Sequence, residues 1–185
     1  MQISQQQFRK VLGTYPTGVC AVTGTDPDGS PLGMVIGTFT SVSLDPALVG
    51  FLADKRSSSW RRIAETGRFC VNVLAADQRP VCAALSAPGA DKFRDVPYSL
   101  SPAGQPVVDG CLTWIDCEIA SVSEAGDHWF VLGAIEDMEV LRETPPMLFH
   151  RGKLGTYAQS RDPELRASSI SGLPMPADEL DWAPI

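Results

Sequence analysis

The sequence predicts a mainly β protein: an antiparallel barrel of six to seven short strands with two or three helices inserted. Three observations point there. Runs rich in Val, Ile, Thr, Phe and Cys follow one another with only turn residues between them, as at Asp26-Pro27-Asp28-Gly29 and Asp45-Pro46. Helical and strand patterns do not alternate regularly, so a doubly wound sheet fits poorly. No G-x-G-x-x-G motif is present, which argues against a Rossmann nucleotide-binding unit.

Each element has a local reason. Ser4 caps a first helix through Leu12, with Phe8, Val11 and Leu12 on one face, and Gly13 ends it. Pro16 starts an extended run over 17–25, and the Asp26 turn folds it into a hairpin with the next strand. The stretch from Gly33 to Trp60 is the one the rest is organised around. It holds an extended segment, the Asp45-Pro46 interruption, an apolar run over 48–52 and three serines entering a helical pattern over 59–66, which Gly67 closes. Residues 68–74 form a strand, and 77–85 a helix broken by Ala87-Pro88-Gly89. The segment from 90 through Pro97, Pro102 and Pro106 is too proline-dense for regular structure and reads as a loop over a site. Residues 112–122 alternate as a half-buried strand, with Ile115, Cys117 and Ile119 facing one way and Asp116 and Glu118 the other. A tight connection over 124–128 leads to a long strand over 129–140, and a last strand covers 147–150. The domain spans 1–157. Residues 158–185, rich in Ser, Pro, Asp and Glu, read as an extended or loosely packed tail whose Leu173, Met175, Leu180 and Trp182 lie against something.

Length and charge narrow the function classes. A chain of 185 residues suits one well-cored domain and is short for two. Fifteen basic against 22 acidic residues give a net charge of −7, which argues against nucleic acid but not against a small anion held by local donors. No apolar run approaches the ~20 residues of a membrane span, and the first residues carry no apolar signal core, so the expected location is the cytoplasm. Five cysteines without a C-x-x-C pair read as reduced, buried packing residues. His128 and His150 sit in no ligand-like cluster, so no metal is expected.

Four constellations have chemical potential. Along Thr38-Phe39-Thr40-Ser41-Val42-Ser43, alternate hydroxyls share a strand face, and such a face beside Phe39 suits the edge of a flat heterocycle; the plain alternative is a soluble surface strand. Ser57, Ser58 and Ser59 stand at a helix start between Arg56 and the pair Arg61 and Arg62. Unpaired N–H groups, the helix dipole and hydroxyls there suit a phosphate, although serine before a helix commonly just caps it. In Gly126-Asp127-His128 the aspartate can orient the histidine, or the three form only a hairpin turn with an exposed His. His150-Arg151-Gly152-Lys153 with Tyr157 is a basic, glycine-hinged strand end, able to meet an anionic cofactor or to stand solvated.

Taken together and in this order, these motifs resemble the flavin reductase family of FMN-binding split barrels, the small reductase components that supply reduced flavin to two-component monooxygenases. The residues that carry the resemblance are GTFTSVSLDPALVGF from Gly37, SSSW from Ser57, GRFCVNVLAADQ from Gly67, DKF from Asp91, GDH from Gly126 and LFHRGKLGTY from Leu148. The resemblance implies a Greek-key split barrel working as a homodimer. It implies FMN or FAD as flavin, NADH or NADPH as hydride donor, and a monooxygenase component as partner. By the same resemblance, Gly37, Thr38, Phe39, Thr40 and Ser41 contact the isoalloxazine and ribityl chain, and Ser57, Ser58, Ser59 and Trp60 hold the flavin phosphate. Lys92 and Phe93 flank the flavin, His128 sits near the nicotinamide as the catalytic residue, and His150 and Arg151 close the pocket. Two positions depart from the pattern: Gly37-Thr38 stands where many members have Asn-Ser, and Leu154 where an aromatic is common. A flavin carrier without nicotinamide activity, or a flavoenzyme acting on an organic substrate, would use the same barrel.

Overall fold

The computed structural model describes residues 3–89 and 91–157; the expected tail, 158–185, lies outside the described residues. A short helix, α1 (Gln5–Leu12), opens the chain, with Ser4 Oγ accepting the Gln7 N–H at 3.1 Å as its cap. Strands β1 (Thr17–Gly18), β2 (Cys20–Thr25), β3 (Pro31–Ile36), β4 (Thr40–Leu44) and β5 (Ala47–Asp54) follow. Helix α2 (Ser58–Thr66), strand β6 (Arg68–Val73) and helix α3 (Arg79–Ser86) come next. A small hairpin, β7 (Tyr98–Leu100) and β8 (Pro106–Val108), precedes the long pair β9 (Thr113–Ala125) and β10 (His128–Val140), and β11 (Met147–His150) and β12 (Lys153–Thr156) end the described chain.

The main sheet has seven antiparallel strands in the order β3-β2-β6-β9-β10-β5-β4. Its two edges, β3 and β4, are consecutive in sequence and joined only by Gly37, Thr38 and Phe39. A link so short forces the sheet to curl until its edges meet, which makes a barrel split at that link. The interior is packed by Val22, Phe51, Ile63, Phe69, Val71 and Val131, all fully buried. Phe51 meets Trp60 and Phe69 edge-on, with centroids 5.4 and 5.3 Å apart. Room for Phe69 exists because residue 133 is glycine: a Cβ there would run into its ring. A second sheet, β1-β11-β12, stands beside the barrel, and its turn at Arg151 and Gly152 has φ of 49° and 76°, the left-handed pair a two-residue hairpin requires.

Several local expectations are corrected. The extended run over 17–25 splits after Gly18, because β1 pairs with β11 while β2 pairs with β3 and β6. The extended segment after Gly33 breaks at Gly37, where the chain crosses from one sheet edge to the other. The proline-rich segment is not all loop: its prolines stand at the ends and corner of the β7–β8 hairpin, where a missing N–H costs nothing. Asp116 does not face solvent but is fully buried, because that hairpin covers the outer face of the sheet over β2 and β6 and reaches Trp114 of β9. Strand β12 follows the turn at Arg151, which the glycine hinge at Gly152 makes possible.

Candidate functional site

The site is built where three segments distant in sequence meet near the split. The first is the crossing itself. Thr38 Oγ1 accepts the Leu52 N–H at 3.0 Å and donates to the Leu52 carbonyl at 3.1 Å, so a side chain takes the place of a strand partner on β5. Gly37 lies against β1: a Cβ at 37 would stand 2.8 Å from Thr17 Oγ1, so only glycine admits the small sheet this close. Phe39 packs partly into the core, while Thr40 and Ser41 are exposed on β4.

The second segment is the start of α2. Ser57 is the cap, its Oγ accepting the Trp60 N–H at 3.1 Å and lying 3.7 Å from Met34 Sδ. Capping therefore occupies Ser57, while Ser58 and Ser59 line a cavity of about 260 Å³ with Arg62, Lys92, Gly33 and Gly89. Of the arginines around the serines, Arg56 is held by Asp54 and Arg61 by the Lys55 carbonyl, which leaves Arg62 on the cavity, bridged to Asp26. Trp60 is a core residue, 2% exposed, and its ring is turned inward onto Phe51.

Lys92 closes the opposite wall. Its Nζ donates to the carbonyls of Leu85, at 3.0 Å, and Gly33, at 3.2 Å, the first being near the negative end of α3. An ammonium has three protons, so one remains for a ligand. Burial pushes its pKa below the ordinary lysine value. Phe93 points the other way, buried with Leu85 and Val96 in a second core cluster. The two residues expected to flank a ligand are thus divided: one lines the cavity and the other anchors its wall.

The third segment is the β9–β10 turn. His128 pairs across the sheet with Asp54, and the Lys55 N–H donates to the Asp127 carbonyl at 3.1 Å. Asp54 is thus both opposite His128 and three positions before the α2 cap, which ties the histidine turn to the serine cluster. His128 Nδ1 lies 2.7 Å from Asp127 Oδ1. An ionised carboxylate only accepts, so Nδ1 carries a proton and Nε2 is the free nitrogen. That hydrogen bond holds the Asp127 carboxyl below the usual range. Arg56, through its side chain and its backbone N–H, does the same more strongly for Asp54. Lys55 Nζ stands 4.7 Å over the Trp129 ring and bridges Glu124, which fixes the arm from outside. Asp54 was not picked out from the sequence; only its cross-strand position gives it a role.

His150 and Arg151 stand exposed at the tip of the β11–β12 hairpin, where the Arg151 N–H bonds the Gly13 carbonyl at 2.9 Å. Within one chain the structure does not bring their side chains to the cavity lining. No group of His, Cys, Asp and Glu among the described residues is arranged to hold a metal. All five cysteines are buried free thiols, and burial pushes Cys20 and Cys117 up to about 12.

Comparison with known proteins agrees with this architecture. The model of the flavin reductase like domain matches residues 12–158. A flavin reductase of Pseudomonas putida is 51% identical over 156 residues, covering 84% of this chain and 92% of that one. The reductase subunit HsaB of a flavin-dependent monooxygenase from Rhodococcus jostii is 42% identical over 151 residues, covering 82% and 77%. Among solved structures, nitrilotriacetate monooxygenase component B from Mycobacterium thermoresistibile superposes with a TM-score of 0.80 at 38% identity, covering 86% of this chain and 94% of that one. The NADH:FAD oxidoreductase of Streptomyces globisporus, in complex with NAD and FAD fragments, also gives 0.80, at 31% identity, covering 88% and 99%. With most of its length matched by the family model and by relatives well above a third identical, the chain belongs to the flavin reductase family, on a split-barrel fold.

Proposed function

We propose that the protein is an NADH- or NADPH-dependent flavin reductase that delivers reduced FMN or FAD to a partner flavin-dependent monooxygenase. The observation that carries this reading is the cavity at the start of α2, where Ser58, Ser59, Arg62 and Lys92 converge beside the barrel's split. Two hydroxyls, two cations and a helix N-terminus form a donor set made for a phosphate, and a cavity of about 260 Å³ holds one with room to spare. A flavin mononucleotide or dinucleotide fits that chemistry. The chemistry supplied by the flavin, when bound, is acceptance of a hydride from the nicotinamide.

The chain's own residues bind and orient. Ser58, Ser59, Arg62 and Lys92 hold the phosphate. The backbone of Gly37 to Ser41 would hold the ring and ribityl chain, with Thr38 committed to Leu52 and Thr40 and Ser41 open. His128, held by Asp127 with Nε2 free, orients the nicotinamide or holds a proton beside it. The protein works as a homodimer. Helix α1 buries none of its residues in one chain and leaves Phe8, Val11 and Leu12 exposed, and the His150–Arg151 tip beside it is then free to close the partner's pocket. No helix among the described residues is long and apolar enough to cross a membrane, and five buried free thiols suit the reducing cytoplasm.

The test is absorbance at the flavin band under anaerobic conditions, with NADH and then NADPH added to excess FMN or FAD. Bleaching at catalytic protein concentrations establishes the reductase and ranks the cofactor pairs. Bound flavin that never bleaches would sink the reductase reading in favour of a carrier or a substrate-specific flavoenzyme.

A further inference from the structure

The hairpin formed by β7 and β8 docks on the outer face of the main sheet through polar groups. Thr23 Oγ1 donates to the Pro106 carbonyl at 2.6 Å, and the Val108 N–H donates to Asn72 Oδ1 at 2.8 Å. Thr25 donates through its N–H to Gln105 Oε1 at 3.1 Å and through its hydroxyl to the Gly104 carbonyl at 2.7 Å. Thr23, Asn72, Ser101 and Gln105 are all buried in this contact, and each has a partner. Asp116, in the middle of the same face, is the exception. It is 0% exposed, and among the described residues neither carboxyl oxygen has a hydrogen-bond partner.

A buried carboxylate in this position is costly, because Ser101, Cys70 and the Ala103 backbone stand near it but none closes a hydrogen bond to replace its lost hydration. A neutral carboxyl is tolerated far better and can donate one hydrogen bond. The charged and titratable surroundings favour the neutral form. Across β6 the register partner is Cys70, a thiol, and across β10 it is Asp137, another acid. Cys111, just past the hairpin, is also a buried thiol, the hairpin residues 98–108 bring Ser101 and the Ala103 backbone but carry no charged side chain, and Arg68, on the same face of β6, is paired with Glu136. Burial raises the Asp116 carboxyl above the ordinary range, with Asp137 adding to it, and Ser101, Cys70 and the Ala103 backbone only partly oppose the rise.

The hairpin is continuous with the cavity wall. The rings of Tyr98, at its start, and Phe93 meet edge-on with centroids 5.3 Å apart, and Lys92 precedes Phe93. We propose that Asp116 is a positioning residue for the phosphate-binding wall: in its protonated state it seats the hairpin, and through Tyr98 and Phe93 it sets Lys92, so that flavin binding weakens as the pH rises. This rests on the flavin reading for its ligand but not for its device. The sign follows from linkage. An acid whose pKa rises on docking favours the docked hairpin most below its ordinary value, and the advantage is lost as pH climbs to the raised value.

The experiment compares the wild-type protein with Asp116→Asn, an isostere of the neutral acid, between about pH 5 and 8. Two quantities are read: FMN affinity by flavin fluorescence, and hydrogen exchange of the amides of 98–108 without flavin, corrected for intrinsic rates. Wild-type affinity is expected to fall by up to about tenfold per pH unit within the titration window relative to the variant, with hairpin exchange rising in step. The FMN phosphate titrates identically against both proteins, so the difference isolates Asp116. Parallel pH profiles for the two proteins, or wild-type exchange that does not depend on pH, would overturn the proposal. Should neither protein bind FMN, the flavin reading fails while the exchange profile still decides the role of Asp116.

Discussion

Thr38 Oγ1 and the backbone of Leu52 form a closed two-bond pair, accepting at 3.0 Å and donating at 3.1 Å, at the point where the chain crosses the barrel's split. The hydroxyl does the work of a strand neighbour. Thr38→Val keeps the shape and removes both bonds. The exchange costs about 0.5–1.5 kcal/mol per bond at most, and less where water replaces them. A lowered melting temperature with weakened FMN binding is the expected result, since the crossing then loses its tether. Unchanged melting and binding would show that the pair holds nothing.

The serine pair offers a sharper test. Capping is done by Ser57, so replacing Ser58 and Ser59 with alanine leaves the helix cap in place. Affinity for FMN should fall while affinity for riboflavin, which lacks the phosphate, stays as it was. Equal losses for both ligands would place the phosphate elsewhere.

His128→Ala is expected to slow NADH oxidation, by about a hundredfold or more if the ring holds a proton in the reaction, with FMN affinity retained. The histidine shares a turn with Asp127 and a cross-strand pair with Asp54, not the serine cavity itself. An unchanged rate in stopped-flow hydride transfer would remove it from the mechanism.

Gly33 lies between cavity and core. A Cβ there would stand 2.9 Å from both Leu85 Cδ2 and Phe93 Cε2. Gly33→Ala therefore overpacks the wall and should destabilise the protein by about 1–3 kcal/mol, read as a shift in urea midpoint. A neutral result would mean that the Leu85 side chain moves aside freely.

Asp54 sets an acid limb. Its carboxyl is held low by Arg56, so it stays ionised below the usual carboxylate range. A depressed acid contributes stability above its unfolded value and loses it as pH falls through its folded one. Asp54→Asn should thus melt below wild type near neutrality, and the gap should close on acidification. A gap that persists in acid would assign the loss to geometry rather than charge.

Much of this was legible in the chain. Ser4, Gly13 and Gly67 mark helix ends because capping is a local matter of one side chain or one backbone angle. The Asp26 and Gly126 turns and the β-rich composition gave the hairpins and the mainly β class, and the family motifs in order gave the split barrel. Less legible was the division of labour within each motif. SSSW reads as one phosphate-binding unit, yet Ser57 caps, Ser58 and Ser59 line the cavity and Trp60 is core. Lys92 and Phe93 are neighbours with opposite destinations. A helix start or a loop fixes where successive Cα atoms go, but which side chain meets solvent depends on what packs behind it.

By itself, then, the sequence determined where strands turn, where helices begin and end, and that serines gather at the start of α2. These follow from interactions within a few residues. Tertiary structure alone decided that Asp54 stands opposite His128, that the crossing at Thr38 marks the split, and that the acid at 116 is sealed beneath a hairpin rather than facing water. Each of these depends on strand register and on a covering element far away in the chain. Alternation along β9 gives Asp116 the outer face of its strand, but only the docking of residues 98–108 turns that face into an interior.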